Sequence, residues 1–324
     1  MASMAAKKKL WLGVLVFLQL SACTTAHTDI PSQGEGPPPG KAPAVESSAA
    51  GQENFTPYQA PAFAGSGFDA SAAQGEDGVL LDLSGLSQGY VAVSAQRDVR
   101  MKFQVEKEGK PYTYDLPADG TPVVYPLQSG DGEYTLRALE NTTGTKFAEV
   151  YAATVPVTLQ DEFQPFLRPS QYVNYNQGSA CVKAAAGLAA QQPDALGVVD
   201  AVFDYICEKV TYDKQKASQV SGGYLPDPDE TLATGKGICF DYASLAAAML
   251  RSQGIPTKMV FGYVQPDDLY HAWNMFYTQE DGWVAAEYQA ESNSWVRLDA
   301  TFAANGADSQ FIGDGTNYTD VYFY

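Results

Sequence analysis

The 324-residue sequence predicts two folded parts in series: an antiparallel all-β sandwich over residues 77–160, then an α+β domain over residues 161–324. Three observations carry this. Apolar and polar residues alternate with period two from Asp77 to Leu159, the mark of half-buried strands. After the Pro-containing segment 161–178 the period changes to that of helices. The last helix is followed by consecutive strand-like runs rather than by strand–helix pairs, which argues an antiparallel sheet segregated from its helices.

In the first part, Val99, Met101, Phe103 and Val105 alternate with Arg100, Lys102, Gln104 and Glu106. Further strands are predicted at 79–83, 89–94, 111–116, 122–127, 133–139 and 147–158, divided by turn clusters such as Glu108-Gly109-Lys110 and Gly130-Asp131-Gly132. Short strands at this density suggest a sandwich. The stretch Gly132-Glu133-Tyr134-Thr135-Leu136 resembles a late strand of immunoglobulin-like modules, which implies a sandwich of that kind. No catalytic cluster falls here, so a spacer or a substrate-binding module is expected.

In the second part, Ala180–Ala190 and Asp194–Val210 read as helices, the latter with Val198, Val202, Tyr205 and Ile206 on one face. Residues 211–236 are polar and turn-rich. A third helix is predicted from Cys239 to Ser252 or Gln253, stopped by Gly254 and Pro256. Cys239, Ala243, Ala246, Ala247 and Leu250 make one buried stripe on it. Strands follow at 257–264, 270–278, 282–288 and 294–300.

The amino terminus reads as an export signal over residues 1–22. Lys7-Lys8-Lys9 precede the apolar run Leu10–Leu20, and small residues follow. The run is too short to span a bilayer, which needs about 20 residues. Leu20-Ser21-Ala22-Cys23 resembles the lipobox of bacterial lipoproteins, which implies cleavage before Cys23 and lipid on its sulfur. The alternative is an ordinary signal with Cys23 as a bystander. Between residues 24 and 75, 30 of 52 positions are Pro, Gly, Ser or Ala, so residues 23–76 read as a disordered tether with a reach of about 40 Å. The expected location is the outer face of the cell membrane, anchored by lipid.

A formal charge of −18 argues against nucleic acid as a partner. The same charge makes a monomer reasonable. Of the two histidines, His27 lies in the tether and only His271 lies in the folded region. With no C-x-x-C pair either, no metal site and no cofactor are expected. Cys181 and Cys207 sit on neighbouring predicted helices, either as a disulfide or as two small buried hydrophobes. In both cases Cys239 is left over. At a helix start the unpaired N–H groups and the dipole favour a thiolate and can hold an oxyanion. The plainer alternative is a buried cysteine that opens an apolar stripe. His271 is the sole imidazole base available, or else a hydrogen-bonded strand histidine. Asp299 interrupts a strand-like run, where a carboxylate needs a partner; His271 is one, and Arg297 on the same predicted face is the other.

Taken in order, Gly237-Ile238-Cys239-Phe240-Asp241-Tyr242-Ala243, Leu250-Arg251-Ser252-Gln253-Gly254-Ile255-Pro256, Tyr270-His271-Ala272-Trp273-Asn274 and Leu298-Asp299-Ala300-Thr301-Phe302 resemble the transglutaminase-like superfamily. The resemblance covers roughly residues 170–324. It implies a papain-related α+β fold with Cys239 as nucleophile, His271 as base and then acid, and Asp299 orienting the imidazole. Met275 and Ala300 depart from the residues common in bacterial relatives, where Glu and Pro stand. Family members draw a second oxyanion donor from an upstream side chain, for which Tyr212 and Tyr224 are candidates.

The implied activity is a thiol acyl-enzyme hydrolase cleaving peptide or isopeptide bonds of a protein or peptide substrate, such as one in the cell envelope. One alternative is a crosslinking transglutaminase that passes the acyl group to an amine. The other is a non-catalytic binding module of the envelope.

Overall fold

The computed structural model describes residues 55–265, 268–279, 282–285, 287–288, 296–297 and 318–324. The first part forms eight strands: β1 (Gln74–Glu76), β2 (Val79–Asp82), β3 (Tyr90–Ala95), β4 (Met101–Lys107), β5 (Lys110–Leu116), β6 (Val123–Pro126), β7 (Gly132–Thr143) and β8 (Lys146–Val157). They make two antiparallel four-stranded sheets, ordered β1-β2-β3-β6 and β5-β4-β7-β8. The alternation seen in the sequence is the burial pattern: Met101, Phe103 and Val105 are buried while their neighbours are half-exposed. The sheets meet through aromatic rings, with Phe103 stacked on Tyr125 at 4.8 Å and Tyr114 against Tyr125 at 4.9 Å.

The second part opens with α1 (Ala180–Ala189) and α2 (Ala195–Lys209), then β9 (Thr211–Tyr212), α3 (Lys214–Gln219), α4 (Pro228–Thr234) and β10 (Lys236–Gly237). The long helix α5 (Cys239–Ser252) follows. After it come β11 (Thr257–Val264), β12 (Leu269–Thr278), β13 (Gly282–Ala285), β14 (Glu287–Tyr288), β15 (Val296–Arg297) and β16 (Tyr318–Phe323). The main sheet is antiparallel in the order β13-β12-β11-β16. Asp194 caps α2 by accepting the Gly197 N–H at 2.9 Å, and Asp227 caps α4, as short acceptors at helix starts do. The helices α3 and α4 break up the stretch 211–236 that composition marks as turns. Short capped helices lack the length to show a period.

Every residue of α5 from Asp241 to Ser252 is buried, including Arg251. Four alanines keep the helix thin enough to be packed on all sides. Arg251 is 1% exposed and donates to three backbone oxygens: Nε to Thr257 at 2.8 Å, Nη1 to Arg168 at 2.9 Å and Nη2 to Tyr324 at 2.8 Å. Burial pulls its pKa down to about 10, which leaves it charged at neutral pH. One side chain thereby fixes α5, the segment before α1 and the end of β16 to each other.

The two parts share one hydrophobic core. Tyr172 packs on Tyr114 at 5.4 Å, on Tyr324 at 4.8 Å and on Phe240 of α5 at 5.3 Å, so rings run unbroken from β5 to the start of α5. Gln171 adds a bond from its side-chain amide to the Asp115 carbonyl at 2.6 Å.

The expected tether is shorter than composition suggested. Residues 55–76 lie on the folded body. The Tyr58 N–H donates to Gln192 O and its hydroxyl to Gln253 O, the ring of Phe63 meets Tyr175 at 5.8 Å, and Ser66 Oγ donates to Pro169 O. An extended segment anchored by a few rings has the same composition as a coil, so Pro, Gly, Ser and Ala content does not separate the two. Cys23 and residues 1–22 lie outside the described residues. Among the described residues no helix is long and apolar enough to cross a membrane.

Replacing Arg251 by Met keeps its bulk but takes the side-chain donor from the Thr257 and Arg168 carbonyls, while Tyr324 O keeps the Met259 N–H. The expected loss is about 3–5 kcal/mol in urea unfolding. A loss below about 1 kcal/mol would show that the three bonds contribute little.

Candidate active site

Cys239 is the first residue of α5 and is half-buried. The chain reaches it through β10, which pairs in parallel with β9. Gly235 O accepts from Thr211 N, and Gly237 O accepts from Asp213 N. Gly237 is obligatory by contact: a Cβ there would lie 2.7 Å from the Asp241 Cβ. Asp241, fully buried at the third position of the helix, accepts the Ile238 N–H at 2.8 Å. Its carboxylate also takes the ammonium of Lys216 at 2.8 Å and the hydroxyl of Tyr224. Lys216 in turn lies over the Tyr224 ring at 4.6 Å. A single carboxylate therefore holds the helix start and the segment α3–Tyr224 together.

That arrangement commits Tyr224. Its hydroxyl donates to Asp241, and this bond with burial raises its pKa, so it is not available as an oxyanion donor. The α5 N–H groups remain as anion-facing donors.

The strand β12 runs along α5. Tyr270 lies close enough to Cys239 for the thiol to raise its pKa, a smaller effect than burial. One turn further, Asn274 Nδ2 donates to Ala243 O at 2.9 Å. Tyr270, Ala272, Asn274 and Phe276 thus face the helix. Strand alternation turns the His271 side chain to the opposite face with Trp273, whose ring is stacked on the imidazole at 6.3 Å and 23°. His271 pairs with Gly262, where a Cβ would meet Trp273 at 2.7 Å and Thr319 O at 2.0 Å. His271 is 4% exposed. On its other side β12 pairs with β13 over Met275–Thr278.

The structure therefore packs the strand that carries His271 along the helix that starts at Cys239, with the imidazole on the face of the strand away from that helix. Asp299 and Ala300 lie outside the described residues. Cys181 on α1 is buried and Cys207 on α2 is half-buried. Cys181 is packed in the core; burial, reinforced by Asp229, pushes its thiol pKa far up. Lys216 was not legible in the sequence, because its role requires the fold that returns α3 to α5. Asp241 carried a signal: an acid at the third helical position.

Residues 182–288 match the model of the transglutaminase-like superfamily. The span holds Cys239 and His271, and with it the chain carries a transglutaminase-like core of mixed α and β content. Cytokinesis protein 3 of Schizosaccharomyces pombe is 32% identical over 108 residues, 31% of this chain and 12% of that protein. An uncharacterized protein of Mycobacterium leprae is 26% identical over 162 residues, 50% of this chain and 54% of the relative. The chain thus spans about half, or less, of the length of these relatives. Among solved structures, a candidate cysteine protease from Cytophaga hutchinsonii is 15% identical with a TM-score of 0.39, covering 73% of this chain and 79% of that one. Legionella pneumophila LapG is 15% identical with a TM-score of 0.30, covering 44% and 70%. Red sea bream transglutaminase is 12% identical with a TM-score of 0.26, covering 65% and 48%.

Two outcomes follow from the site. Asp241→Asn is expected to lower stability by about 2 kcal/mol or more in urea unfolding, since Lys216 keeps its charge and loses its counterion. A change under about 0.5 kcal/mol would mark the ion pair as a solvated one. Peptide mapping after brief iodoacetamide treatment of the folded protein at neutral pH should find Cys239 modified and Cys181 untouched; rapid modification of Cys181 would contradict its burial.

Proposed function

We propose that the protein is a thiol acyl-enzyme hydrolase of peptide or isopeptide bonds, with Cys239 as nucleophile and His271 as its base. The observation that carries this is the position of Cys239: the first residue of a helix buried from Asp241 onward, within the superfamily match and packed along the strand that bears His271. The reaction begins when the imidazole takes the thiol proton and the sulfur attacks the carbonyl carbon. The α5 N–H groups hold the oxyanion. Collapse breaks the C–N bond, the imidazolium protonates the departing amine, and a thioester remains on Cys239. Water attacks the thioester with its proton passing to His271, releasing the acid and restoring the thiol. For this step the imidazole, which strand alternation places on the face of β12 away from α5, has to swing to the sulfur. Asp299 is proposed as the group that orients it there.

The same acyl-enzyme can pass its acyl group to an amine, so the acceptor decides between hydrolysis and crosslinking. We propose further that the export signal and lipid on Cys23 place the domain on the outer face of the membrane, with a protein or peptide of the envelope as substrate. Cys23→Ala should then release the protein from the membrane fraction.

Cys239→Ala and His271→Ala are each expected to lower peptide hydrolysis by about 100-fold or more while the circular dichroism spectrum is kept. Hydrolysis retained by the Cys239 variant would refute the assignment. Incubation with a glutamine-containing protein and a labelled amine reads the acceptor: incorporation that depends on Cys239 would assign transfer instead of hydrolysis.

A further inference from the structure

The sheet face that carries the start of α5 does not end at the helix. Beyond Phe240 the face continues through Phe261, 5.0 Å from Phe240, to Tyr270, whose ring is stacked on Phe261 at 6.0 Å. Tyr263 then lies edge-on to Tyr270 at 5.4 Å and is 36% exposed. Tyr322, the β16 neighbour of Phe261, flanks the same face and is half-exposed. Across from it stands the β5 end of the first module, where Lys110 lies over the Tyr322 ring at 5.7 Å and donates to Val321 O at 3.1 Å.

Strand positions that face water ordinarily hold polar or charged residues. Here Tyr263, Tyr270 and Tyr322 hold such positions on three neighbouring strands. Rings that expose a face and an edge, with a hydroxyl at the tip, bind apolar side chains by area and aromatic ones by edge-to-face contact. The face adjoins Cys239 through its chain neighbour Phe240, whose ring packs on Phe261 beside Tyr270, so an acyl group reaching the sulfur passes along it.

We propose that Tyr263, Tyr270 and Tyr322 form a substrate subsite that takes an aromatic or branched aliphatic side chain of an extended peptide, next to the carbonyl attacked. This rests on the reading of Cys239 as the nucleophile and adds the class of residue it acts beside.

The test uses the full chain and three reagents that alkylate thiols: iodoacetamide, a benzyloxycarbonyl-phenylalanyl chloromethyl ketone and its glycyl counterpart. With rates at Cys239 normalised to iodoacetamide, the phenylalanyl reagent should be about ten-fold faster than the glycyl one, the order expected for an aromatic ring seated on two others. Tyr263→Ser should lower that preference about five-fold, Tyr263→Phe should retain it, and neither should change the iodoacetamide rate. Equal rates for the two ketones, or a preference untouched by Tyr263→Ser, would overturn the subsite. Protection of Cys239 by chitotriose with none by a phenylalanyl peptide would assign the surface to a glycan and also overturn it. Failure of the functional reading is separately visible: the ketone preference would stand while the protein hydrolysed no peptide. A Cys239 that none of the reagents modifies would overturn both.

Discussion

The burial of α5 from Asp241 to Ser252 is the constraint on which the rest of the structure depends. A helix with no face in water must have its terminal N–H and carbonyl groups answered from within, and its polar side chains must be fully partnered. The chain meets both demands with two ionised residues near opposite ends. Asp241 closes the N-terminal end and holds Lys216 and Tyr224. Arg251 ties the other end to carbonyls of three neighbouring segments, while the last carbonyls of the helix accept from the Gln253, Gly254 and Ile255 N–H groups. Each charge is placed where breaking its contacts leaves the remainder uncompensated, so the helix has one seating and Cys239 has one place.

That seating also explains the company of the thiol. The first turn is fixed by Asp241, the strand beside it by Asn274, and the back of Phe240 by Tyr172. Polar bonds set the position along the helix, and rings set the distance from the sheet. The glycines mark the closest approaches: Gly237 under Asp241, and Gly262 under Trp273 opposite His271. The thioester chemistry proposed for the site asks for a nucleophile that does not wander, and these contacts supply it.

Much of this was written in the sequence. The alternation of Met101, Phe103 and Val105, the helix after Asp194, the stripe of α5 and the strand Thr257–Val264 are local patterns that tertiary structure only had to accept. So was the pairing of motifs around Cys239 and His271, because both sit on elements with strong periods of their own. What escaped depends on contacts between distant segments. The strand β16 has no partner until the chain returns to β11, the ordered stretch 55–76 is held by isolated rings, and Lys216 finds Asp241 only after α3 folds back. The face on which His271 lies is a further case: strand period fixes its parity, but only the Asn274 bond to Ala243 says which parity meets the helix.

The seam of rings from Tyr114 through Tyr172 to Phe240 has an evolutionary consequence. The β-module forms part of the back wall behind the helix that bears the thiol. A chain that exchanged this module for an unrelated one would inherit a domain with a missing wall. The two parts must therefore diversify as a matched pair, and lineages that lose one should be found to have rebuilt the surface it covered.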